Sequence, residues 1–145
     1  MATETKLRQL ADKGCPVYYF YSSERYLVRQ AVTAITRILT ADSDEDATVL
    51  DGAAPEIEQL IMAAGTISFF GTRRVVVLPE IDPAAYSDKD LEELNSTLSS
   101  LENAVVVLGS VFELERSKLK TGKRAQKLIA QCKALGYTEE LAKPK

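Results

Sequence analysis

The stretch VYYFYSSERYLVRQAV, residues 17–32, decides the fold. Its first five residues, 17–21, follow Pro16 as an unbroken apolar and aromatic run, which reads as a strand buried on both faces. Ser22 and Ser23 offer hydroxyls suited to capping a helix, and Glu24 places a negative charge near its N-terminus. Leu27, Val28, Ala31, Val32, Ile35, Ile38 and Leu39 then recur at helical spacing, predicting a helix to about Thr40. A buried strand running straight into an amphipathic helix is the unit from which parallel sheets covered by helices are built.

The rest of the chain repeats that unit. Upstream, Leu7, Leu10 and Ala11 predict a helix over 2–13, with Gly14 as its stop. Downstream, ADSDEDA (41–47) reads as a solvated acidic loop and ATVLD (47–51) as a short strand. Pro55 suits the first turn of a third helix, whose buried face is Ile57, Leu60, Ile61 and Ala64. RRVVVLPE carries a strand at 74–78, stopped by Pro79. Ser87 or Asp88 caps a helix bearing Leu91, Leu94, Leu98 and Leu101, and AVVVL (104–108) is a further strand. A final helix lies within 114–135, broken near Gly122, with Leu128, Ile129, Cys132 and Leu135 on its apolar face; 137–141 reads as an edge strand. The expectation is an α/β fold: a parallel sheet of about five strands, 17–21 and 104–108 central, with helices on both faces.

Composition narrows the function. The 145 residues fit one domain, and 46% hydrophobic with 27% charged residues is ample for a packed core. A formal charge of −3 argues against a dedicated nucleic-acid-binding module. No apolar run approaches the ~18 residues of a membrane span, and the N-terminus MATETKLRQLADKG lacks a signal-peptide core. Cys15 and Cys132 belong to no CxxC or Cys/His cluster, so the reading is a reduced, cytoplasmic protein with no membrane partner. Histidine is absent, which removes the commonest general base and every His-based metal site. Carboxylate catalysis stays open, without a positive sign.

A parallel α/β domain invites a nucleotide hypothesis, because ligands favour the carboxyl ends of such strands. The loop that decides it is SSERYLVRQ, 22–30. It has neither the glycines that let backbone N–H groups wrap phosphate nor the lysine that follows them. The Gly122–Lys123 pair follows no strand directly and precedes Arg124 instead of Ser or Thr. A phospho-receiver would need acids at the end of the first strand, where Tyr21 and Ser22 stand. No cofactor, metal or catalytic residue is expected.

Taken together, four stretches resemble the delta subunit family of bacterial DNA polymerase III. They are VYYFYSSERYLVRQAV (17–32), ISFFGTRRVVVLPEID (67–82), the leucine helix with NAVVVLGS (91–110), and the lysine-rich helix ending ALGYTEEL (134–141). The second is the specific one: a small residue, two bulky apolar residues, Gly or Ala, a polar residue, Arg, then a strand. Ser22 stands where the family commonly has Gly. The resemblance covers nearly the whole chain and implies an AAA+-type module lacking the P-loop, without ATPase function. It further implies that 1–145 is one clamp-binding domain, and that the family's helical second domain and C-terminal collar domain are not in this chain. The implied role is mechanical: binding and opening the sliding (beta) clamp beside the other clamp-loader subunits of the holoenzyme, with DNA met indirectly.

The same stretch supplies the candidate site. Phe69 and Phe70, flanked by Ser68 and Gly71, are either core residues before a strand or exposed interface anchors. Two adjacent bulky residues rarely both point inward. The resemblance implies a plug inserted into a hydrophobic clamp pocket. Arg73 and Arg74 are either a solvated strand entrance or a polar rim to the plug; the family's recurrent Arg corresponds to one of them, Arg74 being preferred for its place beside the strand, with a structural pairing to a carboxylate as the alternative role for it. Lys120, Lys123, Arg124 and Lys127 belong to a run, 116–138, without any acid. Such a run is more often a solvated helix face than a contact to DNA phosphate or a partner. The rival classes are an inactive NTPase-like scaffold for another protein and a small-molecule enzyme using carboxylates; capture of the clamp separates the first reading from both.

Overall fold

The computed structural model describes residues 4–41, 46–65 and 73–142. In chain order the elements are α1 (Glu4–Asp12), β1 (Val17–Ser22), α2 (Arg25–Thr40), β2 (Thr48–Val49), α3 (Ile57–Gly65) and β3 (Arg74–Leu78). A 3₁₀ turn (Pro83–Ala85) leads to α4 (Asp88–Ser99), β4 (Ala104–Val111), β5 (Leu114–Glu115), β6 (Lys118–Leu119), α5 (Lys123–Leu135) and β7 (Tyr137–Glu140). The main sheet has five strands in the order β2-β3-β4-β1-β7, and every pairing in it is parallel. Val17 lies opposite Val106 on β4, and Arg74 opposite Ala104.

The unbroken apolar runs are explained by burial on both faces. Along β1, Val17 and Tyr19 pack with α3, α4 and α5 through Leu60, Leu94 and Leu128. Tyr18 and Phe20 point the other way, into the cluster made by Leu7 of α1 and Leu27, Val28 and Ile35 of α2. Strands β3 and β4 alternate in the same manner, Val76 with Val106 on one face and Val77 with Val107 on the other. Each large side chain so removed from water contributes ~1.5–3 kcal/mol. The central position of β4 also dictates Gly109: a Cβ there would collide with the Pro79 carbonyl oxygen and crowd Val28 Cγ1. Gly14 ends α1 with φ +77°, a conformation most residues avoid.

Several local expectations need correction. Residues 114–119 form a β-hairpin, with Leu114 opposite Leu119, and the last helix starts only at Lys123. Helix α2 is capped by Glu24 without a side-chain bond; Ser22 is the buried last residue of β1. Pro55 precedes α3 and is buried, its carbonyl accepting the Tyr86 hydroxyl at 2.7 Å. Ile61, expected in the core, is 51% exposed. The packing accounts for it: Ile57, Leu60, Ala63 and Ala64 make the inward stripe, and position 61 is left to its side. Ser87 does cap α4, accepting from the Asp90 N–H at 3.1 Å. Residues 42–45 of the acidic loop lie outside the described residues.

Candidate functional site

A parallel sheet has two chemically different ends. At the carboxyl end, β1 enters α2 through Ser23 and Glu24 alone. The Ser22 hydroxyl donates to the Leu141 carbonyl (2.6 Å) and accepts from the Glu24 N–H (3.1 Å), which closes the connection tightly. Beside it lies a 540 Å³ cleft lined by Tyr21, Glu24, Lys118, Thr121, Ile129 and Glu140 among others. Burial, and then the Glu140 carboxylate, hold the Tyr21 hydroxyl above its ordinary pKa. Arg25, in the first turn of α2, reaches across to Glu80, just after β3, with Nε at 2.7 Å. A phosphate at this helix start would meet the Glu24 side chain, with no glycine loop to supply open N–H donors.

The amino end carries the family-like stretch. Ser68, Phe69, Phe70 and Gly71 lie outside the described residues, but both roots of their segment are described. One is α3, ending at Gly65; the other is Arg73, leading into β3. The half-buried Arg73 guanidinium donates from Nη2 to the Ala104 carbonyl at 3.3 Å, at the start of β4. The Arg74 N–H donates to the Asn103 carbonyl (2.9 Å), and its Nη2 approaches Thr48 Oγ1 of β2 at 3.4 Å. Both arginines are therefore bonded to neighbouring strands, and the picture of a freely solvated strand entrance is set aside. The Ala104 carbonyl and the Thr48 hydroxyl each help fix the strand where the segment returns to the sheet.

On α3, Ile61 is 51% and Met62 67% exposed, so two large apolar side chains face outward on the helix that delivers the aromatic pair. Placing residues at 100° per residue from Ile57 finds Met62 in the sequence, whereas Ile61, four residues after Ile57, falls on the inward side by that rule and its exposure comes from the tertiary packing.

The basic set lies elsewhere. Lys120, between β6 and α5, and Lys123 and Lys127, one helical turn apart on α5, are exposed. Arg124 is committed to Asp88 at the start of α4, Nε to Oδ1 at 2.9 Å. Among the described residues no group of three or more His, Cys, Asp or Glu side chains could hold a metal ion. No described helix is long and apolar enough to cross a membrane.

Comparison with known proteins bears on this geometry. A family model described as DNA polymerase III, delta subunit, matches residues 18–135. The DNA polymerase III subunit delta of Bacillus subtilis (strain 168) is 28% identical over 137 residues, covering 86% of this chain and 39% of that protein. A crystal structure of a DNA polymerase III gamma subunit-related protein from Thermotoga maritima superposes with a TM-score of 0.66 over 99% of this chain and 47% of its own, at 13% identity. That likeness is one of fold alone. The chain spans less than half the length of either relative.

Proposed function

The chain belongs to the DNA polymerase III delta subunit family, and from that premise we propose that it is the domain by which a clamp loader binds and opens the sliding clamp in DNA replication. Phe69 and Phe70 are the anchors, entering an apolar pocket of the clamp, with Ser68 and Gly71 shaping the turn that presents them. Arg73 and Arg74 hold the root of the segment to β4 and β2 and form its polar rim. The observation that carries this reading is the exposure of Ile61 and Met62 on the helix leading into the pair. Large apolar groups left in water have the make-up of a protein-binding patch, and these two stand a few residues before the aromatic pair in the sequence.

The role is mechanical. The domain supplies binding energy, each anchor contributing ~2 kcal/mol or more, and wedges the ring near one interface. ATP binding and hydrolysis fall to other subunits of the loader. A helical second domain and a collar domain, as in the family, join this module to them. Lys120, Lys123 and Lys127 remain available to DNA or a neighbouring subunit, while Arg124 serves first to tie α5 to α4. The test is capture of the cognate clamp by the immobilised chain. The wild type binds and Phe69→Ala/Phe70→Ala does not; a wild-type chain that fails to bind the clamp at micromolar concentration would sink the assignment.

A further inference from the structure

The outward face of α2 has no place in the function above. The helix, RYLVRQAVTAITRILT, contains three arginines and no carboxylate. Arg25, Tyr26, Arg29, Gln30, Thr33 and Arg37 are its exposed residues, the inward stripe being spent on the sheet. Arg25, Arg29, Thr33 and Arg37 stand four residues apart, which stacks them on one side of the helix at intervals of ~6 Å. Arg29 and Arg37 make no hydrogen bond or ion pair among the described residues, whereas Arg25 is paired with Glu80.

The face is also grooved. A 350 Å³ depression runs along Arg29, Gln30, Thr33, Ala34 and Arg37. It shares Ala34 and Arg37 with a 430 Å³ groove between α1 and α2, which adds Arg8. Carboxylates near it among the described residues include Glu4, Glu80 and Glu24. Glu4 is bonded to Arg8 at 2.7 Å, Glu80 to Arg25, and Glu24 lines the cleft beside β7. Tyr26, 48% exposed, sits one turn before Arg29 and Gln30. The net charge of −3 conceals this segregation, because the acids lie mostly on other elements.

We propose that this face of α2 binds the backbone of a single-stranded nucleic acid. Guanidinium forks match phosphate geometry, and Arg29 and Arg37, ~12 Å apart along the helix with Thr33 between them, match phosphates two steps apart on an extended strand. Gln30 and Thr33 supply neutral donors between the charges, and Tyr26 offers a ring on which a base can stack, the combination that sequence-tolerant strand binders use. Helices α1 and α2 cover one face of the sheet and α5 the other, so this surface is separate from the lysines of α5.

The experiment is fluorescence anisotropy of a labelled oligothymidylate against the full chain, at several salt concentrations. Arg29→Gln/Arg37→Gln should weaken binding roughly tenfold or more and lower the slope of log K against log salt by about 1.4, which is ~0.7 for each arginine removed from a phosphate. Tyr26→Ala should weaken it by about tenfold because its ring no longer stacks on a base. Lys89→Gln, on α4, should leave it unchanged, and all variants should melt as the wild type does, since the altered side chains are exposed. The proposal is overturned by a wild-type chain that ignores the oligonucleotide at low salt, or by an Arg29/Arg37 variant that binds as well as wild type. It is equally overturned if polyglutamate competes on equal terms with oligothymidylate, which would make the face a dock for an acidic protein.

Discussion

Arg25 grips Glu80 with two hydrogen bonds, Nε to Oε1 at 2.7 Å and Nη2 to Oε2 at 3.1 Å. The pair ties the first turn of α2 to the turn after β3, across the carboxyl end of the sheet. Contact with Glu80 raises the Arg25 pKa further, so the guanidinium keeps its charge. A nucleotide at this end would need a free cation and open backbone donors. It meets instead a neutralised arginine, the Glu24 carboxylate and a connection closed by Ser22.

ATP titrated into the protein, with magnesium, should therefore give no binding heat. The missing parts are the glycine loop and its lysine, so relieving the local negative charge with Glu24→Gln should not create a site. Micromolar ATP binding by calorimetry would count against the reading of this end of the sheet, and against the family role built on it.

The buried polar chain behind the cleft should matter far more for stability than the exposed Arg25–Glu80 pair. Tyr19 and Ser110 hydroxyls lie 2.6 Å apart, and Ser110 donates to the Ile81 carbonyl at 2.7 Å, which leaves Tyr19 as donor to Ser110. Ser110→Ala strands both Tyr19 and Ile81 in a dry interior and should cost ~1–3 kcal/mol in urea unfolding. Tyr19→Phe should cost ~1 kcal/mol alone and close to nothing in the Ser110→Ala background. Strictly additive effects would show that the hydroxyls do not depend on each other.

Alkaline pH should unfold the domain early. Burial pushes the Cys132 thiol from 9.0 up to about 12. Burial, and then Asp90, push the Tyr86 hydroxyl from 10.0 to about 12. Both groups are neutral when folded and ionise more readily when unfolded. Their contribution is thus intact below about pH 9 and lost progressively as the pH rises to about 12. The melting temperature should be flat from pH 7 to 8.5 and fall steeply above 9, with a shallower fall in Cys132→Ala. A thiol reagent at pH 8 should reach the half-buried Cys15 before Cys132.

What the sequence made legible follows from which forces are local. β1, β3 and β4 announce themselves because strands covered on both faces must be apolar at every position, and Val17–Phe20 and Ala104–Leu108 have no polar interruption. The hairpin at 114–119 was hidden. Its turn residues, Arg116 at φ 52° and Ser117 at φ 69°, occupy the left-handed region without the glycine or asparagine that usually signals it. Lysine, glutamate and leucine in that stretch favour a helix by propensity, and the tertiary setting overrides them. Ser22 was a sound cap by type, yet its hydroxyl is spent on Leu141, far along the chain. Arg73 and Arg74 could be placed at the root of the candidate segment from sequence, but not their bonds to β4 and β2, which exist only once the strand order is known.

A binding patch and a core respond differently to truncation. Ile61 and Met62 are exposed, so Ile61→Ser/Met62→Ser should shift the melting temperature little. If the amino end of the sheet is the clamp-binding edge, the same variant should weaken clamp binding, because an apolar anchor draws its energy from the partner's pocket. Phe69→Ala/Phe70→Ala should abolish clamp binding, again with the melt intact. Core phenylalanines behave differently: each truncation costs ~3–5 kcal/mol, and two could unfold a domain whose whole stability is ~5–15 kcal/mol. A collapsed melt in the phenylalanine variant would therefore place the pair in the core and leave Ile61 and Met62 to mark the edge. An intact melt with clamp affinity unchanged in both variants would remove this end of the sheet from the interface altogether.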